Sequence, residues 1–169
     1  LSVSSAASDV YKRQIMNGKK GLIMGVANER SIAWGIAKTL SENGAQLAFS
    51  YQNESFKKRL IPLMNTLNSD KYFECDVSKS ASDFNSIENM FEKISKVWNE
   101  IDFIVHALAY SDKEELKGKY FNCSRENFLN SLDISAFSFT RIAKSSFPLM
   151  SLKGGSLLTL SYLGAERTT

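Results

Sequence analysis

The sequence predicts an α/β fold built on a doubly wound parallel sheet. From Lys19 onward, short apolar runs alternate five times with segments of helical periodicity, without an internal repeat or a change of composition. Alternation of this kind favours parallel strands joined by right-handed crossovers. The 169 residues fit one domain with a sizeable core, and their 43% hydrophobic content is ordinary for a globular protein. We therefore expect a ligand at the carboxyl ends of the strands, near the switch point between the first and the fourth.

Three strands are predicted in the first half of the chain, at residues 21–25, 46–51 and 71–77. Between the first two, apolar residues recur at helical spacing from Ile32, with Ser31 as N-cap and Gly44 as a stop signal. Residues 54–67 predict a second helix, and Pro62 must lie at a kink or near an end of it.

Two more strands are predicted in the second half, at residues 101–109 and 157–160, and the second of them is expected to be buried. The clearest amphipathic pattern, between the third and fourth strands, consists of Phe84, Ile87, Met90, Phe91, Ile94, Val97 and Trp98. Ser124 caps a long helix that comes after a polar, irregular stretch and ends near Phe147. The apolar stripe of this helix consists of Phe128, Leu132, Ala136, Phe139, Ile142 and Ala143.

The composition argues against several classes of protein. The 21 basic and 18 acidic side chains leave a net charge of +3 without a basic stripe, so we expect no nucleic-acid partner. No run approaches the roughly 18 apolar residues of a membrane span. The two cysteines are far apart and the chain has one histidine, so we predict neither a metal site nor a disulfide framework. A reducing, cytoplasmic location is the default for such a sequence.

The first residues, "LSVSSAASDVYKRQ", differ from the rest of the chain. They are rich in serine and alanine, show no helical or strand period, and precede Met16. They also lack the apolar segment of a secretory signal peptide. We therefore expect residues 1–15 to be a non-native or disordered leader and residues 16–169 to form a single nucleotide-binding domain.

Three strand ends carry residues that suit a nucleotide. The turn after the first strand starts at Gly25 and feeds a helix N-terminus, which favours phosphate, although it lacks the G-x-G-x-x-G pattern. Gln52 ends the second strand, where a side chain commonly holds a ribose, and no arginine beside it would clamp a 2′-phosphate. We therefore favour NADH over NADPH. Asp76 could accept a hydrogen bond from adenine or cap the next turn. An ordinary turn or loop residue is the alternative at each position.

A family resemblance strengthens these assignments. The stretches "GVANERSIAWGIAKTL", "AFSYQNE", "CDV", "DFIVHALAY" and "LLTLSYLGAER" occur in this order. Together they resemble the bacterial enoyl-acyl carrier protein reductases, a divergent branch of the short-chain dehydrogenase/reductase superfamily with a Rossmann sheet. The resemblance covers residues 16–169. It implies NADH-dependent reduction of trans-2-enoyl thioesters, carried by acyl carrier protein, in fatty acid biosynthesis, and a homotetrameric parent enzyme.

The resemblance also implies roles for particular residues. Those expected to contact the cofactor are Gly25, Ser31 and Ile32 at the pyrophosphate, Gln52 near the adenosine ribose, Asp76 and Val77 at the adenine, and Leu108 along its length. Ser111 would lie where the substrate-side loop begins. Tyr162 would be the catalytic group of this chain, as the first of two active-site tyrosines.

The sequence departs from the family in two places. Ala107-Leu108-Ala109 stands where the family usually has Ser-Ile-Gly, and we expect a small local adjustment of the backbone, because Ala109 adds a methyl group where the glycine has none. His106, just before it, is expected to pack in the core. The family's Tyr-x₆-Lys pair does not come after "SYLGAER" within the chain. We therefore expect a Rossmann domain truncated after the fifth strand, a fragment that is inactive alone.

Two alternatives stay open at the level of the sequence. Another short-chain reductase, acting on a ketone or a sugar, would share the fold but usually carries a glycine-rich T-G-x-x-x-G-x-G turn. A catalytically dead nucleotide-binding module would keep the adenosine contacts and lack the reaction.

Overall fold

Five parallel strands form the sheet of the protein. The computed structural model describes residues 15–78, 85–150 and 154–167. The strands are β1 (Lys20–Met24), β2 (Gln46–Tyr51), β3 (Lys71–Glu74), β4 (Phe103–His106) and β5 (Ser156–Thr159). Their order across the sheet is β3-β2-β1-β4-β5, with every neighbouring pair parallel. The chain thus runs outward to β3 and returns to the other side of β1. This confirms the predicted doubly wound sheet and puts the switch point between β1 and β4.

Helices cover both faces of this sheet. They are α1 (Ile32–Glu42), α2 (Glu54–Asn65), α3 (Ser86–Ser95), α4 (Arg125–Leu132) and α5 (Ser138–Ser146), and a π-helical turn, Asp133–Phe137, joins α4 to α5. Short 3₁₀ turns occupy Tyr120–Asn122, Phe147–Leu149 and Leu163–Ala165. In the described ranges of the chain, the helices are too short or too polar to cross a membrane.

Two apolar layers hold the sheet between the helices. Neighbouring residues of β1 point to opposite faces, as the pleat of a strand requires. Ile23 packs with Phe49 under α1 and α2, whereas Leu22 packs with Ala48 under α3 and α5. All four side chains are fully buried. Burial of a large apolar side chain such as Leu22, Ile23 or Phe49 stabilises a fold by about 1.5–3 kcal/mol, so both layers contribute to holding the helices on the sheet.

Of the predicted signals at the helix ends, at Ser31, Ser124, Gly44 and Pro62, all but the Ser31 cap are confirmed. Ser31 precedes α1 as predicted, but its hydroxyl donates to the Asn28 carbonyl at 2.5 Å and does not cap the helix. The Ser124 hydroxyl accepts from the Asn127 N–H at 3.1 Å, so this predicted cap of α4 is confirmed. Gly44 ends the α1 turn with a φ of 93°. Pro62 lies in the last turn of α2, near an end as expected.

Two predicted strands are longer than the observed ones. The predictions 71–77 and 101–109 include residues that lie outside β3 and β4. The backbone N–H of Cys75 still donates to Tyr51, and that of Ala107 to Met24, and beyond these bonds the chain leaves the ladder. Most of the residues after these hydrogen bonds are apolar because they line a cleft. A sequence pattern does not distinguish such residues from the continuation of a strand.

The expectation of a buried fifth strand was wrong. β5 forms where predicted, but Leu158 and Leu160 are 49% and 41% exposed. In the part of the sheet that the structure describes, β5 pairs only with β4, so one of its edges is uncovered.

The long helix predicted from Ser124 to near Phe147 is confirmed as one helical run with a π-helical turn inside it, but part of its apolar stripe was predicted incorrectly. Phe128 and Leu132, expected in the core, are 44% and 48% exposed. Val97 is exposed as well, because α3 ends at Ser95. The expected leader and Phe84 lie outside the described residues, except that Ile15 is described and exposed.

Candidate functional site

A cleft of about 270 Å³ opens at the carboxyl ends of the strands, at the predicted switch point. Its walls come from the turn after β1, the ends of β2 and β3, the start of α2, the segment after β4 and the π-helical turn. The lining residues are Gly25, Val26, Ala27, Ser50, Tyr51, Gln52, Phe56, Cys75, Asp76, Val77, Ala107, Leu108, Ala109, Tyr110 and Ile134. Parallel α/β sheets bind ligands at this place.

Most of the predicted cofactor residues converge in this cleft. Gly25, Gln52, Asp76, Val77 and Leu108 all line it, although they come from the ends of different strands. Their convergence results from the topology, because parallel strands bring their carboxyl ends to the same edge.

Gly25 allows the ends of β1 and β4 to approach closely. Its φ is 95°, in the left-handed region that side chains disfavour. A Cβ at this position would also collide with the carbonyl oxygen of Ala107. A glycine is therefore required at the base of the cleft.

Gln52 and Asp76 form the polar end of the cleft. The Gln52 amide Nε2 donates to Asp76 Oδ2 at 3.2 Å. The other carboxylate oxygen, Oδ1, accepts from the Ser78 N–H at 3.0 Å, while the Asp76 N–H donates to the Ser86 hydroxyl. Asp76 thus caps the turn and also faces the cleft, so both interpretations of this residue fit the structure. This pair offers an amide and a carboxylate to hydroxyl or amino groups of a ligand.

Cys75 contributes an inert wall beside this polar end. Burial is the main cause that raises the pKa of its thiol to about 12, and the neighbouring Asp76 acts in the same direction. The thiol therefore stays protonated at neutral pH, and a buried protonated thiol behaves as a small apolar group.

The opposite end of the cleft is formed by the segment after β4 and by the π-helical turn. Ala107, Leu108, Ala109 and Tyr110 come from the first, and Ile134 from the second. Ala109, which stands where the family usually has glycine, therefore places a methyl-bearing residue at this wall. Ile134 lies on a helix remote in sequence from every strand end, and no signal in the sequence identified it as a site residue.

His106 lies behind this wall in the core. It is fully buried, as expected, and Phe139 packs edge-on against its ring at a centroid distance of 5.5 Å. Nε2 lies 2.7 Å from the Ser138 hydroxyl, and Nδ1 lies 3.2 Å from that of Thr159. Burial lowers the pKa of His106, so the ring is neutral.

The other predicted site residues lie outside the cleft, as far as the described residues define it. Ser31 and Ile32 form the start of α1, where Ile32 is 67% exposed. Ser111 borders a separate shallow cavity, and its hydroxyl accepts from the Asn127 amide at 3.1 Å. Tyr162 comes after β5 and is 74% exposed. Their roles stay predictions.

The segment that carries Ser111 is fixed to the start of α4. Asn127 is buried, and its Oδ1 accepts from the Asp112 N–H at 2.9 Å. Glu115 accepts from both the N–H and the hydroxyl of Ser124, at 2.7 Å each. These hydrogen bonds lower the pKa of Glu115. Hydrogen bonds to residues at the start of α4 therefore fix the segment that comes after the cleft.

Comparison with known proteins assigns the chain and its fold to one family. Residues 25–169 match the family model described as Enoyl-(Acyl carrier protein) reductase. The NADH-dependent enoyl-acyl carrier protein reductase 2 of Rhizobium meliloti is 52% identical over 153 residues, which are 90% of this chain and 55% of the relative. The chain thus spans about half the length of that protein.

Solved structures that resemble this chain belong to the same family. FabI from Candidatus Liberibacter asiaticus superposes with a TM-score of 0.86 at 51% identity, over 92% of this chain and 58% of that one. The enoyl-acyl carrier protein reductase of Anaplasma phagocytophilum, solved in complex with NAD, gives a TM-score of 0.85 at 51% identity and the same coverage. The chain therefore belongs to the enoyl-acyl carrier protein reductase family, and not to another branch of the short-chain reductases.

Proposed function

We propose that the protein is an NADH-dependent enoyl-acyl carrier protein reductase of fatty acid biosynthesis, which reduces trans-2-enoyl thioesters. The observation that carries this proposal is the cleft at the switch point, where Gly25, Gln52, Asp76, Val77 and Leu108 converge. These are the residues that the family resemblance assigns to the cofactor. Membership of the family supports the reaction class.

The cleft fits part of a dinucleotide. The Gln52 amide and the Asp76 carboxylate offer polar partners to an adenosine, and Val77 offers an apolar wall. The volume of about 270 Å³ is near the lower end for small-molecule sites. We expect one nucleoside half to fill the adenosine end and the other to extend across the switch point towards β4.

The chain's own residues would bind and orient the reactants. Bound NADH supplies the hydride that the reduction needs. Gln52 and Asp76 would fix the adenosine, while Gly25 keeps the base of the cleft clear of side-chain atoms. Ile134 would exclude water from the far end. Tyr162 is proposed to present its hydroxyl to the substrate, where a donor stabilises charge that builds on the thioester oxygen.

The polar end favours NADH over NADPH. The Asp76 carboxylate lies within hydrogen-bond distance of the Gln52 amide. A 2′-phosphate placed near Gln52 would therefore lie close to a second negative charge, and like charges repel. Lys57, a nearby cation, is held by Glu54 at 2.9 Å and lies 5.7 Å from the ring centroid of Tyr51. These contacts hold its ammonium group towards α2 and the tyrosine.

We also propose the partners of the protein. The substrate would arrive on acyl carrier protein, and the working form would be a homotetramer. The apolar side chains exposed on α4 support assembly, because such patches mark interaction surfaces. We propose a cytoplasmic location, which is supported by the absence of a disulfide between Cys75 and Cys123.

The test is a chimaera. Because the chain spans about half of the Rhizobium meliloti reductase, it should replace the matched part of that protein. We expect the chimaera to reduce an enoyl thioester with NADH and to use NADPH several-fold less well, whereas the chain alone should give no turnover. Asp76→Ala should raise the KM for NADH by about three- to tenfold, as the loss of one charged hydrogen-bond acceptor predicts.

The matched control is Asp70→Ala. Asp70 is an exposed carboxylate just before β3, paired with Lys71 at 2.7 Å, and it should leave the KM unchanged. A folded chimaera without reductase activity would contradict the proposed function. Equal effects of the two substitutions would contradict the role of Asp76.

A further inference from the structure

The π-helical turn Asp133–Phe137 is the feature of the site that the proposed function leaves unexplained. Turns of this type are rare and are frequent at functional sites. This one interrupts the helix where Ile134 enters the cleft wall. Directly after the turn, the Ser138 hydroxyl donates to the Ile134 carbonyl at 2.7 Å. Such a bond to the carbonyl four residues earlier bends a helix.

Ser135, in the middle of the turn, holds the backbone of Tyr110. Its hydroxyl oxygen accepts from the Tyr110 N–H at 3.1 Å and lies 3.4 Å from the Tyr110 carbonyl oxygen, to which it donates. One side chain thus binds both backbone polar groups of a residue in the cleft wall. Tyr110 lies outside the sheet ladder, so these bonds replace the ones that a strand would supply.

Ser138, just after the turn, holds His106 at the end of β4. Its hydroxyl oxygen lies 2.7 Å from the Ile134 carbonyl oxygen and 2.7 Å from His106 Nε2, so it bridges the turn and the histidine. Nδ1 of His106 lies 3.2 Å from the Thr159 hydroxyl. A chain of hydrogen bonds therefore joins β5, β4 and the π-helical turn.

We propose that the π-helical turn is a positioning element for the far wall of the cleft: Ser135 fixes Tyr110 and Ser138 fixes His106, so that residues 107–110 are held where the nicotinamide half of the cofactor binds. This inference rests on the proposed function. Ser135 and Ser138 are positioning residues, because they act through the backbone and through His106.

The two ends of the cleft are held independently. Gln52 and Asp76 lie at the ends of β2 and β3, and their hydrogen bonds involve neither the turn nor the segment after β4. A loss of positioning should therefore weaken the nicotinamide half of the cofactor and leave the adenosine half unaffected. A general loss of structure would weaken both halves.

This difference defines the experiment. Calorimetry on the full chain would compare NADH with ADP-ribose, which lacks the nicotinamide ring. We expect Ser135→Ala and Ser138→Ala to weaken NADH by about three- to tenfold, from the loss of one or two hydrogen bonds, and to leave ADP-ribose unchanged. Ser135→Thr keeps the hydroxyl and should retain most of the NADH affinity.

Ser146→Ala is the matched control. Ser146 is another fully buried serine of α5, and its hydroxyl donates to the Ala143 carbonyl, away from the cleft. It should affect neither ligand. Equal weakening of both ligands by Ser135→Ala would overturn the inference, and so would equal affinity of the unmodified chain for the two. Failure of the unmodified chain to bind ADP-ribose would instead contradict the proposed function.

Discussion

At the end of β1, Gly25 meets two constraints that no other residue type satisfies together. Its φ of 95° is strained for any side chain, and a Cβ would enter the carbonyl group of Ala107. The first constraint concerns the local backbone, and the second concerns the separation of two strands. Together they set the depth of the cleft, since β1 and β4 could not otherwise approach so closely.

We expect Gly25→Ala to lower the free energy of unfolding by at least about 1–2 kcal/mol, which is the usual cost of a left-handed residue, plus the cost of moving the Ala107 backbone. Urea unfolding followed by circular dichroism would measure it. Gly35→Ala is the control, because Gly35 lies in α1 with open space around it. That change should stabilise the protein by about 0.5–1 kcal/mol. Effects of the same sign would contradict the assignment.

Among the elements, the helix pair α4 and α5 departs furthest from its sequence pattern. Its apolar stripe predicted a buried face, yet Phe128 and Leu132 lie outward, and Asn127, Ser138 and Ser146 are buried instead. The periodicity shows that one face is apolar but not what covers it. The buried polar side chains are accommodated because each finds a hydrogen-bond partner inside, which depends on residues remote in sequence.

His106 joins three elements, β4, β5 and α5, and its protonation should set how stability depends on pH. Burial lowers its pKa in the folded state, so between that value and about 6.5 only the unfolded chain binds the proton. The free energy of unfolding therefore has its full value above about pH 6.5. It falls as the pH drops below this value, by up to about 1.4 kcal/mol per pH unit. Because the chain has one histidine, the effect is assignable.

Denaturant unfolding at pH values of about 5.5 and 7.5 would test this, since carboxylates titrate mainly below that range. His106→Asn keeps a hydrogen-bonding side chain beside Thr159 but does not titrate, so the stability of this variant should change much less between the two pH values. A slope of the same size in the unmodified protein and in His106→Asn would show that another group is responsible.

For the whole molecule, the sequence predicted the adenosine half of the site better than the other half. Gln52 and Asp76 come directly after strands, and a parallel sheet brings such positions together without further information. Ile134 lines the cleft from a π-helical turn within a long helix, and Ser135 and Ser138 fix this turn by side-chain hydrogen bonds without lining the cleft themselves. Tertiary contacts of this kind leave no local pattern. The predicted fold was therefore right, while Ile134 was missing from the predicted cleft wall.

The outward side chains of α4 and the π-helical turn form an apolar face on the molecule. Phe128, Leu129, Leu132 and Phe137 are between 44% and 55% exposed. Large apolar side chains clustered on one side mark association surfaces in soluble proteins. A second copy of the chain is the partner that the proposed homotetramer requires.

We expect Leu132→Glu to reduce the mass of the assembled protein in sedimentation experiments, because a carboxylate in the centre of the apolar face would be buried without a partner on association. Val97→Glu is the matched control: Val97 is 51% exposed beyond the end of α3, outside that face, and its substitution should leave the mass unchanged. The assembly proposal would be wrong if the unmodified chain sedimented as a monomer. It would equally be wrong if both substitutions left an oligomer of the same mass, since the apolar face would then contribute nothing to association.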